Sequence, residues 1–166
     1  HNEKGIENLG DIEALAVEFK TKSPYQRAIH HKGTIRTLTA KEENGRIYLV
    51  ADKGTNVIDG SLGAPSGEVH ILGKEVVLQK NTAIDVSGPS GGTVLLGGDY
   101  QGQNPKVLNA DNVTVHPGAQ VLANGTGSGN GGKVIYWSDG ITAVAGLTEV
   151  RGGPEGGDGG FVEVSG

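Results

Sequence analysis

Four aspartates are the residues of this sequence best suited to acid–base chemistry. They stand beside short apolar runs, at Asp85, Asp99, Asp139 and Asp158. Lining one groove, they would suit the cleavage of a polysaccharide, and Arg151 could bind an acidic sugar beside them. However, no carboxylate pair has the spacing typical of glycoside cleavage, and no nucleophile stands beside a base. Aspartate at a turn start also bonds local backbone amides. We expect this structural role for all four and predict no catalytic residue.

Metal binding is weakly indicated at two places. The segment 157–161 resembles one turn of the calcium-binding nonapeptide repeats, but it occurs once and that mechanism needs tandem copies. His30 and His31 lack the i, i+4 spacing of a helical zinc site, and we expect both to be exposed. The absence of cysteine excludes disulfides, thiolate catalysis and cysteine-type zinc sites. The sequence therefore predicts no metal and no cofactor.

Two surface features are candidate carbohydrate sites. Six basic residues fall within 22 positions, which would suit sulfated glycans, although charge in a loop is more often merely solvated. They are Lys20, Lys22, Arg27, Lys32, Arg36 and Lys41. Asn112 and Asn124 begin glycosylation sequons, which also arise by chance.

Composition narrows the class of protein. The chain has 166 residues, about one domain, with 30 glycines, a formal net charge of −5 and 4% aromatic residues. This charge and the few aromatic rings argue against nucleic acid as a partner. No apolar run approaches the ~18 residues of a membrane-spanning helix, and the first ten residues do not resemble a signal peptide. Because methionine is absent, we expect the chain to be part of a longer polypeptide.

Glycines recur in a regular pattern. Polar turns ending in glycine at positions 45, 67, 92, 132 and 160 are each followed by an alternating apolar run. The isoleucine, glycine and isoleucine at 6, 10 and 12 recur at 29, 33 and 35. Period-two alternation predicts short strands on a repeat of roughly 20–30 residues, which fits a solenoid with one continuous core. We expect glycine at the corners because it tolerates unusual backbone angles.

Three segments allow alternatives. The glycine-rich segment 125–132 is interpreted as an outward turn, although a flexible linker has the same composition. The spacing of Ile12, Leu15, Ala16 and Phe19 also fits a short helix, but the match of Ile12 to Ile35 favours a strand. Trp137 would point inward if Ile135 does, with Tyr136 outward; the alternative is an exposed, sugar-binding tryptophan.

Specific motifs appear in the second half of the chain. They are the segments 94–102, 132–139, 151–153 and 157–166, and in this order they resemble large bacterial exoproteins of the filamentous haemagglutinin type. The earlier blocks 33–40 and 45–51 look like generic coils of the same family. The resemblance implies a right-handed parallel β-helix, two-partner secretion through an outer-membrane transporter, and roles in adhesion, aggregation or toxin delivery. Because that family's amino-terminal Asn-Pro motifs are missing, the chain is expected in the shaft, downstream of the secretion domain.

We therefore expect an all-β, right-handed parallel β-helix (solenoid) of roughly five to seven coils. Residues 1–166 would form one segment, with loop excursions at about 20–32 and 99–112. The expected function is a non-enzymatic structural shaft of a secreted, surface-associated adhesin. Its partners would be the transporter, through a domain absent here, and surface glycans or proteins, without nucleic acid or membrane insertion. The alternative is a polysaccharide-binding or polysaccharide-cleaving enzyme on the same scaffold.

Overall fold

Strands make up nearly all of the regular structure. A computed structural model describes residues 5–25, 27–38 and 43–166. Beyond a 3-10 turn at Tyr100–Gly102, its elements are β1 (Ile6–Asn8), β2 (Asp11–Ala14), β3 (Ala16–Thr21), β4 (Ile29–His31), β5 (Thr34–Thr37), β6 (Arg46–Ile58), β7 (Ser61–Gly63), β8 (Glu68–Leu78), β9 (Ala83–Asp85), β10 (Thr93–Leu96), β11 (Ala110–Val115), β12 (Gln120–Leu122), β13 (Lys133–Val144), β14 (Leu147–Glu149) and β15 (Phe161–Ser165). The expected all-β class is confirmed. The described residues contain no helix with the length and hydropathy needed to cross a bilayer.

All strand pairings among the described residues are parallel, and they form three stacks. The first stack contains β1, β4, the second halves of β6 and β8, β11, and the second half of β13. The second stack is β2, β5, β7, β9, β12 and β14, in chain order. The third contains β3, the first halves of β6 and β8, β10, the first half of β13, and β15. We call three consecutive segments, one from each stack, a layer.

Aliphatic ladders fill the space between the stacks. In the second stack Ile12, Ile35, Leu62, Ile84 and Val121 are in register and point into one core cluster. The alternation expected from the sequence is therefore observed. Each fully buried aliphatic side chain contributes about 1.5–3 kcal/mol, so the ladders join layers that no short strand could stabilise alone.

Glycine columns mark the corners where the layers stack most closely. Gly67 lies over Gly45, Gly92 over Gly67, Gly132 over Gly92 and Gly160 over Gly132, and a Cβ on each upper glycine would collide with the carbonyl oxygen below. The amide after each upper glycine donates to that carbonyl at 2.9–3.0 Å. None of the five has a positive φ. The expectation that unusual backbone angles require glycine here was wrong: the close approach of two main chains requires it.

The ambiguous segments are resolved as strands and ordered turns. Ile12 lies in β2, Ala16 and Phe19 lie in β3, and Leu15 is the bend between the two strands, so the helical alternative was wrong. The excursions lie at 22–28 and 97–109 rather than 20–32 and 99–112. The first is shorter at both ends, because β3 continues to Thr21 and β4 begins at Ile29, whereas the second starts and ends two to three residues earlier than expected, because β10 ends at Leu96 and β11 begins at Ala110. The turn 125–132 is held by the next layer, since Gly125 and Gly131 donate to the carbonyls of Arg151 and Asp158, both at 2.8 Å. A flexible linker would not make these bonds.

Candidate functional site at the 97–109 loop

The loop 97–109 covers part of the outward side of the third stack. Val94 and Val134 point into the core, so their neighbours Leu95 and Ile135 point outward. Both outward residues are nonetheless buried, at 3% and 0% exposure. The loop leaves β10, crosses β13 and reaches β15, where the amide of Gln101 donates to the Glu163 carboxylate at 3.3 Å. The loop therefore lies over the outward side of β13, from β10 to β15.

Asp99 fastens the start of this loop. Its Oδ1 accepts a hydrogen bond from the Tyr100 amide at 2.7 Å, and its Oδ2 accepts one from Asn104 Nδ2 at 2.8 Å. Lys133 Nζ lies 3.7 Å from Oδ1. Burial alone would raise the pKa of Asp99, but these hydrogen bonds, with Lys133, outweigh it and hold the pKa below its usual value. The carboxylate is thus committed to shaping the loop.

Asp139 fastens the end of the loop through Trp137 and Asn109. Asp139 Oδ1 accepts hydrogen bonds from Trp137 Nε1 at 3.1 Å and from Asn109 Nδ2 at 3.2 Å. The indole packs beneath Gly98 and Gly102, where a Cβ would collide with the ring. Gly102 also has φ +60°, a conformation that L side chains rarely adopt. Both glycines are therefore needed for the loop to close over Trp137.

The expected orientation of Trp137 was wrong. Tyr136 is completely buried in the core, and Ile135 and Trp137 point outward. The register decides this, because Val134 and Tyr136 pair with the inward residues Val94 and Leu96. Trp137 is half-buried under the loop. It is therefore neither the inward-pointing core residue nor the exposed, sugar-binding tryptophan that the sequence allowed.

A second polar group lies on the same side of the third stack. The rings of Tyr48 and His70 stack with centroids 4.3 Å apart, and the Tyr48 hydroxyl donates to Glu68 Oε2 at 2.6 Å. Burial and then this hydrogen bond raise the pKa of Tyr48 to about 12, while burial lowers the pKa of His70. Sequence reasoning missed these residues and Glu163. The sequence does contain a signal for them, because these residues alternate along their strands with apolar residues that point inward.

The structure does not assemble the four aspartates. Asp99 and Asp139 lie at the same loop, but Asp85 is in the second stack, where its Oδ1 accepts from the Ser87 amide at 2.9 Å. Asp158 lies in the turn before β15, and its amide donates to Asn130 Oδ1 at 2.9 Å. Arg151 pairs with Glu149 at 2.7 Å.

The candidate glycan-binding cations do not share one face. Lys20 lies on β3 in the third stack, and Arg36 lies on β5 in the second stack, in register with Glu13. Lys22 and Arg27 lie in the 22–28 excursion, and Lys32 lies between β4 and β5; all five are exposed. Lys41 is outside the described residues. Neighbouring strands of one layer face different directions, which separates cations that are close in sequence.

The two histidines are more buried than expected. His31 is fully buried and His30 is half-buried, 3.1 Å from Glu7. Because the Ser61 carbonyl 3.0 Å away can only accept, His31 Nε2 carries the proton, and Nδ1 accepts from Asn8 Nδ2 at 3.2 Å. Burial, opposed by the Ser61 bond, lowers the pKa of His31. Among the described residues, no group of three or more His, Cys, Asp and Glu side chains is placed to hold a metal.

Both sequon asparagines make hydrogen bonds. Asn112 Oδ1 accepts from the Ile141 amide at 3.2 Å. Asn124 donates through Nδ2 to Glu149 Oε2 at 3.2 Å and accepts at Oδ1 from the Arg151 amide at 2.7 Å. Glycosylation of Asn124 would place a sugar on a nitrogen that links two layers.

One comparison with known proteins identifies a close structural relation. No family model matches the chain, and no curated protein matches it. The crystal structure of the HMW1 secretion domain from Haemophilus influenzae is similar, with a TM-score of 0.81 and 30% sequence identity. The similarity covers 96% of this chain and 44% of that chain. The chain therefore spans less than half the length of this neighbour.

The neighbour corrects the expected placement in a shaft. It is a secretion domain, so the comparison supports a domain of that type and not a segment downstream of one. The shaft expectation rested on missing Asn-Pro motifs, which involve a few residues. The structural similarity covers the path of nearly the whole chain and is therefore the stronger observation.

Proposed function

We propose that this chain is a right-handed parallel β-helix of six coils, forming part of a secretion-type domain in an exported bacterial exoprotein. The registers support the winding, because each strand segment pairs with the segment one layer later in the chain. Parallel strands joined by crossovers are almost always connected with a right-handed turn. The observation that carries the function is the similarity to the HMW1 secretion domain over 96% of the chain.

The proposed partner is an outer-membrane transporter of the two-partner type, and the proposed destination is the cell exterior or surface. The strands of each layer pair only with those of neighbouring layers, so coils can form one at a time as the chain leaves a pore. Nested truncations should then unfold with a stability that grows with the number of layers. A chain in which no shorter fragment is stable would argue against folding during export.

We propose a structural rather than an enzymatic role in attachment or aggregation. Asp99 Oδ1 and Oδ2 and Asp139 Oδ1 accept hydrogen bonds that hold the 97–109 loop. A carboxylate used as a general acid or base must instead reach the substrate. Binding of glycans or host proteins would then fall to surface loops or to other parts of the parent protein.

Export of a hybrid protein tests the secretion role. Residues 5–166 would replace the matched part of the HMW1 secretion domain, and the hybrid would be produced with the transporter of that exoprotein. We expect the hybrid in the culture medium, whereas the matched Ile84→Asp variant, which places a charge in the core, should be retained. If protease resistance shows that the hybrid is folded but the hybrid stays in the periplasm, the proposal is contradicted.

Turnover separates the structural role from the enzymatic alternative. We expect no cleavage of polyuronates or neutral polysaccharides by the purified chain. Cleavage that is lost in Asp99→Asn or Asp139→Asn, with the far-ultraviolet circular dichroism unchanged, would instead establish a polysaccharide-active enzyme.

A further inference from the structure

Three asparagines in this chain are followed directly by glycine. The pairs are Asn44-Gly45, Asn124-Gly125 and Asn130-Gly131. In such a pair the glycine backbone nitrogen can attack the asparagine side-chain carbonyl carbon, because glycine has no side chain to shield the nitrogen and reaches the required backbone angles easily. The reaction needs a glycine amide that is free of other bonds and an asparagine side chain that can rotate towards it.

The structure blocks this reaction at two of the three pairs. Asn124 is held by bonds to Glu149 and Arg151, and the Gly125 amide donates to the Arg151 carbonyl at 2.8 Å. Asn130 Oδ1 accepts from the Asp158 amide at 2.9 Å, and the Gly131 amide donates to the Asp158 carbonyl at 2.8 Å. In both pairs, hydrogen bonds to the next layer occupy the asparagine side chain and the glycine amide.

Asn44-Gly45 differs in its hydrogen bonds. Within the described part of the chain, neither the Asn44 side chain nor the Gly45 amide makes a hydrogen bond. Exposure does not favour Asn44, because Asn44 and Asn130 are both exposed and Gly45 is more buried than Gly131. The layer-to-layer bonds at Asn130 are therefore the distinguishing feature.

We propose that Asn44 is a site of spontaneous, non-enzymatic deamidation in the folded protein. The Gly45 nitrogen, losing its proton, forms a bond to the Asn44 side-chain carbonyl carbon, and the side-chain nitrogen takes up a proton and leaves as ammonia. Water then opens the resulting five-membered succinimide at either carbonyl. The products are aspartate and isoaspartate at position 44, with no change in oxidation state.

The modification would act on the start of a glycine column. Isoaspartate inserts one methylene group into the main chain directly before Gly45, whose carbonyl accepts the Glu68 amide at 3.0 Å. Both products add a negative charge near the exposed Glu43–Arg46 pair, in which Glu43 Oε1 lies 3.8 Å from Arg46 Nη2. We expect local loosening of the corner at Gly45 rather than unfolding, because the later layers keep their own ladders.

Peptide mapping by mass spectrometry tests this proposal. The folded chain and a sample unfolded in guanidinium chloride would be incubated side by side at mildly alkaline pH, and the mass gain of one dalton followed at each asparagine. In the folded sample we expect Asn44 to convert at least about tenfold faster than Asn124 and Asn130, because the latter react only after local opening. In guanidinium the three should convert at similar rates.

The matched variant and the contrary outcomes complete the test. Asn44→Gln should remove the fast conversion while Asn124 and Asn130 stay protected. If Asn130 converts as fast as Asn44 in the folded chain, or if Asn44 is as slow as Asn130, the proposal is overturned. None of these outcomes depends on export, so the test is independent of the proposed function.

Discussion

The hydroxyl of Tyr136 lies 2.6 Å from the hydroxyl of Thr148, and this contact joins the third stack to the second across the core. Tyr136 is completely buried. Thr148 stands in register with Val121, where the aliphatic ladder of the second stack gives way to a polar residue. The half-buried Thr148 thus supplies the partner that the buried Tyr136 hydroxyl requires.

Removing one member of this pair should cost more than removing both. We expect Tyr136→Phe to lower the free energy of unfolding by about 0.5–1.5 kcal/mol, since it removes the hydrogen bond to the half-buried Thr148 hydroxyl. The double variant Tyr136→Phe/Thr148→Val should recover part of that loss. Urea unfolding of the four proteins measures the coupling, and strictly additive losses would show that the hydroxyls do not interact.

Alkaline pH should weaken the fold through Tyr136. Burial raises the pKa of this phenol from 10.0 to about 12. Below pH 10 both the folded and unfolded forms are neutral and stability is unaffected; above it the unfolded chain ionises first, so stability falls as the pH rises towards 12. Chemical unfolding between pH 9 and 11.5 should show a steeper loss for the wild type than for Tyr136→Phe, whereas equal slopes would exclude this cause.

Acidification should weaken the first layers through His31. Its pKa is lowered from 6.5 by burial, so its contribution to stability is complete above pH 6.5 and is lost as the pH falls below that value. The slope has an upper limit of about 1.4 kcal/mol per pH unit for one proton. We expect His31→Leu to flatten the dependence between pH 7.5 and 5 but not abolish it, because the pKa of His70 is also lowered. An unchanged slope would contradict the buried position of His31.

Replacing a corner glycine by alanine should lower the stability of the fold much more than replacing a glycine within a strand. Gly92→Ala would drive a methyl group into the Gly67 carbonyl, and overpacking of this kind costs about 1–3 kcal/mol. Gly63→Ala is the matched control, because the nearest atom to its added Cβ would be 4.0 Å away. Thermal unfolding compares the two. Equal tolerance would mean that the layers do not approach as closely as the structure indicates.

Closure of the 97–109 loop over Trp137 can be followed by fluorescence, since Trp137 is the only tryptophan. Asp139→Ala removes the acceptor for both Trp137 Nε1 and Asn109 Nδ2. We expect a red-shifted emission and stronger quenching by iodide or acrylamide as the loop lifts. Asp85→Ala removes a carboxylate in the second stack and should leave the spectrum unchanged; a shift of similar size there would indicate a general loss of structure.

Much of the fold was predictable because it follows from side-chain alternation. The match of Ile12 to Ile35 at a distance of 23 residues predicts a register that the structure contains. The positions of the strands and the parallel stacking follow from the same repeats. These features follow because each strand has one side that must be buried. This requirement specifies the register strongly wherever the opposite side of the strand faces solvent.

The loop site was not predictable by the same reasoning. Ile135 and Tyr136 are adjacent, hydrophobic and both fully buried, so hydrophobicity does not tell the two sides of β13 apart. The register with Val94 and Leu96 decides the question, and it requires the partner strand. The burial of His31 was not predicted for a related reason. Its two ring nitrogens make hydrogen bonds to Asn8 and Ser61, which are distant in sequence.

The glycine columns also constrain how such a protein can change its length during evolution. A single residue inserted beside Gly67 or Gly92 would push the next corner out of line and invert every side chain of the strand that follows. Duplication or loss of a complete repeat keeps all contacts equivalent, and so does growth of an outward loop such as 97–109. Genes for chains of this kind should therefore vary by whole repeats, with smaller insertions confined to the excursions.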